Sequence, residues 1–120
     1  MGTKVAYLVV DTVDPEALAP FWCAVLDVGV ADRLSDGEYL LLQPTADGLR
    51  IAFQRVPESK AVKNRLHLDL EVDDLDEMTA RVRSLGGRWE DEVDHRLGDY
   101  TWRNMQDPEG NEFDIIPAGD

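Results

Sequence analysis

The chain has 120 residues, the size of one compact domain, and 43% of them are hydrophobic against 31% charged. That balance supports a buried core and argues against general disorder. Asp and Glu outnumber Lys and Arg by 25 to 12, a formal net charge of −13, which repels phosphate backbones and anionic membrane surfaces; no nucleic acid and no membrane is expected as a partner. Cys23 is the only cysteine, so an intrachain disulfide and a cysteine-clustered zinc site are excluded. The apolar run Val5 to Val10 is too short for a signal peptide or a membrane helix, and a cytoplasmic protein is expected.

In chain order, Val5 to Asp11 predicts a strand. Asp14-Pro15 supplies an N-cap and a proline at the first helical position, and Leu18, Phe21, Trp22 and Val25 recur at helical spacing, so a helix is predicted over 15–27. Pro20 is expected to kink or weaken it. Gly29 to Leu34, Glu38 to Gln43 and Leu49 to Val56 complete the first half, separated by turns at Ser35-Asp36-Gly37 and Asp47-Gly48. The linker 58–64 contains Lys60 and Lys63 and, with Arg65, makes a local basic patch in an acidic chain. Arg65 to Val72 alternates as a strand. Asp73 or Asp74 caps a helix with the stripe Leu75, Met78, Val82 and Leu85, stopped by Gly86-Gly87. Strands at Arg88 to Val93, Tyr100 to Met105 and Glu112 to Ile116 follow, the last after an Asp107-Pro108-Glu109-Gly110 turn.

Each half therefore reads β-α-β-β-β, and an offset of 60 lays Tyr7 to Val10 on His67 to Leu70, Asp14 on Asp74 and Val56-Pro57 on Ile116-Pro117. The fold class is α+β, one domain over 1–120 built from two βαβββ modules, 4–57 and 65–117. Strand parity puts Leu66, Leu68, Leu70 and Val72 under the helices and His67, Asp69 and Glu71 on the opposite face. By the same count Tyr7, Arg50, Gln54 and Asp114 face away from the helices. Tyr100, Trp102 and Asn104 share one face of their strand and Thr101, Arg103 and Met105 the other; one of the two faces is expected to line a cleft, where aromatic rings suit a planar ligand. Cys23 is read as a packing residue and His95, within an acidic stretch, as part of a solvated loop.

Three blocks resemble the vicinal oxygen chelate superfamily of glyoxalase I, bleomycin-resistance proteins and extradiol dioxygenases, in its short glyoxalase-like branch. They are Asp14-Pro15 with Phe21-Trp22 and Leu26; Asn64 to Leu70 with Val72 to Leu75; and Asp107 to Phe113. The resemblance implies sheets curled around a cleft, helices on the convex side, and a homodimer. It also implies four metal-ligand positions, which fall on Tyr7, Gln54, His67 and Asp114. His67 has the residue type usual there, Asp114 stands for a Glu, and Tyr7 and Gln54 depart from the pattern. Two readings follow. In one, the cleft binds a small, partly aromatic organic molecule, contacted by Tyr7, Arg50, Gln54 and Trp102, without chemistry. In the other, His67 and Asp114, with Gln54 as a weaker ligand, hold Zn, Ni, Mn or Fe for a lyase, isomerase or dioxygenase reaction; His67 or Asp114 can also serve as a general base without a metal.

Overall fold

A computed structural model describes residues 2–119 and divides the chain after Ser59 into two units of like construction. The first holds β1 (Leu8–Thr12), α1 (Pro15–Leu26), β2 (Val30–Leu34), β3 (Tyr39–Leu42) and β4 (Ile51–Arg55). Its sheet runs β1-β4-β3-β2, with β1 parallel to β4 and the other pairs antiparallel. The second holds β5 (Asp69–Val72), α2 (Leu75–Ser84), β6 (Arg88–Trp89), β7 (His95–Leu97), β8 (Tyr100–Gln106) and β9 (Glu112–Pro117). Its sheet runs β5-β9-β8-β6, with β7 also on β8 and β5 parallel to β9. No helix among the described residues is long and apolar enough to cross a membrane.

Local chemistry starts both helices alike. Asp14 accepts the Ala17 amide at 3.3 Å and Asp74 accepts the Glu77 amide at 3.0 Å, each satisfying one of the unpaired donors of a first turn. The helix over 15–26 runs through Pro20, whose ring lies on the exposed side while Leu18, Ala19, Phe21 and Trp22 are buried. It ends at Asp27 in the left-handed region (φ 56°). The first core gathers those four residues with Leu40, Leu42, Ile51 and Phe53; the second gathers Val72, Val82, Met105, Phe113 and Ile115.

Three sequence expectations change. The strand expected over 65–72 pairs with β9 only from Asp69 onward, and Leu66 is 70% exposed rather than packed under α2. The reason is local: upstream of Leu68 the flank of β9 is taken by segment 60–64, held by Glu112. The strand expected over 88–93 stops at Trp89, and a further strand, β7, forms at His95–Leu97, so His95 is not in a solvated loop. The offset between halves is 60 only at the front. Thr12 pairs with Arg55 and Val72 with Pro117, so the last strands correspond at an offset of 62 and Val56 matches Ala118, not Ile116.

The block 107–113 is a turn held by one carboxylate. Asp107, 2% exposed, accepts the amides of Glu109 and Asn111 at 2.9 Å each and the Asn111 side-chain amide at 2.8 Å. Gly110 sits at φ +88°, which a side chain would strain. This turn delivers β9 in register. On the helix side of β8, Arg103 is a second buried hub. Its guanidinium reaches Asp94 (2.6 Å), Thr79 (2.8 Å) and Asp76 (2.8 Å) and lies 4.3 Å from the Trp89 ring.

Candidate metal and ligand site

In the second unit, the face of the sheet turned away from α2 is polar. Phe113 and Ile115 are buried under the helix, so by alternation Glu112 and Asp114 point to the other side. Asp69 is the direct cross-strand partner of Asp114, and His67 precedes Asp69 by two residues on the same face. The result is a compact cluster. His67 Nε2 is 3.4 Å from Asp69 Oδ1 and 3.4 Å from Asp114 Oδ2. One ligand atom from each of the three lies within 4.8 Å of the others.

Burial pushes the Asp114 carboxyl above the usual aspartate range; His67 opposes that shift, the neighbouring Asp69 carboxylate adds to it, and Lys63 opposes it. Two carboxylates and an imidazole are the hard and borderline donors that Zn, Mn, Fe or Ni accept. Donors bonded to one ion at about 2.0–2.2 Å stand about 3.0–3.5 Å apart in tetrahedral or octahedral geometry. The two His67 distances meet that requirement and the three donors lie within 4.8 Å of one another, so the donor set suits a divalent metal. Asp69 was not singled out from the sequence as a ligand, although its parity with His67 was visible.

Next to the cluster, Asn104 on β8 is the other cross-strand partner of Asp114. Its side-chain nitrogen is 3.0 Å from His95 Nε2, which is itself 2.6 Å from Asp91 Oδ2. The His95 ring stacks on Trp102 at 5.5 Å between centroids and 16° between planes. Trp102 is half-buried and shares the Asn104 face, placing an aromatic surface two residues along the strand from the residue that neighbours Asp114. Burial works against ionisation of Asp91, but the hydrogen bonds from His95 and the Val93 amide outweigh it and hold that carboxyl below its ordinary range.

The remaining candidates lie in the first unit. Tyr7 is 37% exposed, and the Arg50 guanidinium stands 6.0 Å from its ring. Gln54 is half-buried and pairs with Asp11 on β1 and Tyr39 on β3. With the offset of 62, the first-unit counterpart of Asp114 is Ala52 and that of Gln54 is Ile116. Gln54 therefore does not hold the register position of Asp114, and the residue that does has no donor. Burial raises the Cys23 thiol, which leaves it a half-buried packing group.

A family model described as a glyoxalase-like domain matches residues 7–116. No curated protein matches the sequence. Among solved structures, a glyoxalase/bleomycin resistance protein/dioxygenase family enzyme from Burkholderia phytofirmans PsJN aligns at TM-score 0.76 and 17% identity, over 93% of this chain and 96% of that one. The fosfomycin resistance protein FosX from Listeria monocytogenes, complexed with Mn(II) and sulfate, aligns at TM-score 0.79 and 16% identity, over 99% and 93%. A glyoxalase/bleomycin resistance protein from Albidiferax ferrireducens T118 aligns at 0.67 and 16%, over 96% and 98%.

Proposed function

The chain belongs to the glyoxalase-like domain family, and from that premise we propose that it binds a small, oxygen-bearing organic molecule on the polar face of its second sheet, through a divalent cation held by His67, Asp69 and Asp114. The carrying observation is the convergence of those three side chains, with His67 Nε2 3.4 Å from an oxygen of each aspartate and all three donors within 4.8 Å of one another. A bound divalent ion would supply Lewis acidity to ligand oxygens. The chain's own residues do the rest. His67 presents Nε2, Asp69 and Asp114 present one oxygen each, and Asn104 stands beside Asp114 to orient a ligand by hydrogen bonding. The crystal of FosX with Mn(II) supports the reading only in that a chain of this fold holds such an ion.

The test is metal content after incubation with Zn, Ni, Mn or Fe(II) and desalting. About one equivalent per chain is expected, lost in His67→Ala and Asp114→Ala. A wild-type chain that retains no metal, or a His67→Ala chain that retains as much, refutes the proposal. Trp102, stacked on His95, favours a second reading in which a planar ligand is sequestered without a metal; saturable binding of an aromatic probe to metal-stripped protein, lost in Trp102→Ala, would select it. Homodimer formation, motivated by sheet edges such as β2, belongs to the same proposal and is read by light scattering.

A further inference from the structure

His67 is not on a strand; the pairing of β5 with β9 starts two residues later, at Asp69. What places its ring beside Asp114 must therefore come from elsewhere. Just downstream, the Asp114 amide donates to the Leu68 carbonyl at 2.8 Å. Upstream, segment 60–64 is held to β9 at Glu112. Glu112 Oε1 accepts the Asn64 amide at 2.9 Å, and Lys60 Nζ stands 3.0 Å and 3.1 Å from its two oxygens. Lys60 also donates to the Val62 carbonyl at 2.6 Å, and the Asn64 side-chain amide reaches the Glu112 carbonyl at 3.5 Å. The pair is well enclosed: the Lys60 and Glu112 side chains are 16% and 11% exposed.

We infer that Glu112 is a positioning residue for the cation site: its carboxylate fastens segment 60–64 to β9 and thereby fixes His67 against Asp114. The geometry is economical. Glu112 and Asp114 are two apart on one strand and share a face, so the same strand that presents one ligand also holds the segment carrying another. His67 is gripped on both sides, by Asn64 three residues before it and by Leu68 one residue after. Cutting the upstream grip leaves seven residues, 60–66, tied to Glu112 only by the 3.5 Å contact of the Asn64 side chain with its backbone carbonyl, and ordering them again would fall on the metal as a loss of affinity.

The inference rests on the cation reading, so two measurements are made together on the full chain. Zn(II) is titrated into wild type, Glu112→Gln and Glu112→Ala, and amide hydrogen exchange is followed in the same three proteins. Expected is a roughly 10-fold or greater loss of Zn(II) affinity in Glu112→Ala, with partial rescue in Glu112→Gln, which still accepts the Asn64 amide. Exchange at residues 62–68 should accelerate in Glu112→Ala while the core amides of Met105 and Ile115 stay protected, which separates lost positioning from lost folding. Equal Zn(II) affinity in wild type and Glu112→Ala overturns the inference. If wild type binds no Zn(II), the cation reading fails, and the anchor is judged on exchange alone: acceleration at 62–68 upholds it and unchanged exchange overturns it. Should Glu112→Ala not fold, Lys60→Met and Glu112→Gln decide in its place, with weakened Zn(II) binding supporting the inference and wild-type binding in both overturning it.

Discussion

Arg103→Met removes a cation from the second core while keeping most of the side-chain volume, so its cost can be worked out from the contacts. The guanidinium is 8% exposed and makes three hydrogen bonds. The bond to Asp76 counts least, because that carboxylate is 88% exposed and regains water when released. Asp94, 38% exposed, counts for more, as does the buried bond to Thr79. Contact with the Trp89 ring adds about 1 kcal/mol. Thr79 keeps its own hydrogen bond to the Leu75 carbonyl at 2.6 Å, so no buried hydroxyl is orphaned. The total comes to about 3 kcal/mol, the range of a charged buried hydrogen-bond set discounted for two partly exposed partners. With an m-value of about 2 kcal/mol/M, the urea midpoint should fall by about 1.5 M. Arg103→Lys, which preserves the charge but can reach one partner at a time, should fall roughly half as far. A midpoint in Arg103→Met within about 0.2 M of wild type would refute the assignment of Arg103 as a structural hub.

Three further outcomes are expected. Asp107→Ala frees the amides of Glu109 and Asn111 together, so it should cost about 2 kcal/mol and speed amide exchange at both; unchanged exchange would show that the turn stands without its carboxylate. Zn(II) at about 100 times its dissociation constant should stabilise the protein by about 2.7 kcal/mol in thermal melts, and Asp114→Ala should abolish the gain. The third concerns acid. Because the folded Asp91 carboxyl titrates below its ordinary value, the folded chain holds that proton less tightly than the unfolded one. Its stabilisation is therefore full above the ordinary aspartate range and disappears as pH falls through the folded value. Contact between the His95 and Trp102 rings, followed by ring-proton NMR, should loosen in that window, and Asp91→Asn should remove the dependence; ring order unaffected by acid would contradict it.

Most of the architecture could be read from periodicity, because buried positions alternate on strands and recur every third or fourth residue on helices. Phe113 and Ile115 identify the packed face of β9, and that alone turns Asp114 toward the polar side. Two features were less visible, for physical reasons. β7 carries His95, Arg96 and Leu97, a mostly polar segment stabilised by pairing with a longer neighbour, so hydrophobicity does not reveal it. Its signal is the two-residue Gly98-Asp99 connection between paired Leu97 and Tyr100, with Gly98 at φ +59°. The register of β4 against β9 was hidden because loop insertions leave no mark on alternation when they are even in number. That is why Gln54, at the same spacing from Tyr7 as Asp114 from His67, falls two residues past the matching place.

The shift from an offset of 60 to one of 62 also gives the protein an internal blank. Tyr7, Val9 and Ala52 occupy in the first unit the positions of His67, Asp69 and Asp114 in the second. The same backbone thus appears twice in one chain, once with donors and once without. Transplanting His, Asp and Asp onto Tyr7, Val9 and Ala52 asks whether the β1–β4 pairing alone is sufficient to bring three ligands together, with the untouched second unit as the reference in the same tube. Ala52 is buried where Asp114 is only half-buried, so the graft would also measure what desolvation adds to the cost of housing a carboxylate at that rung of the sheet.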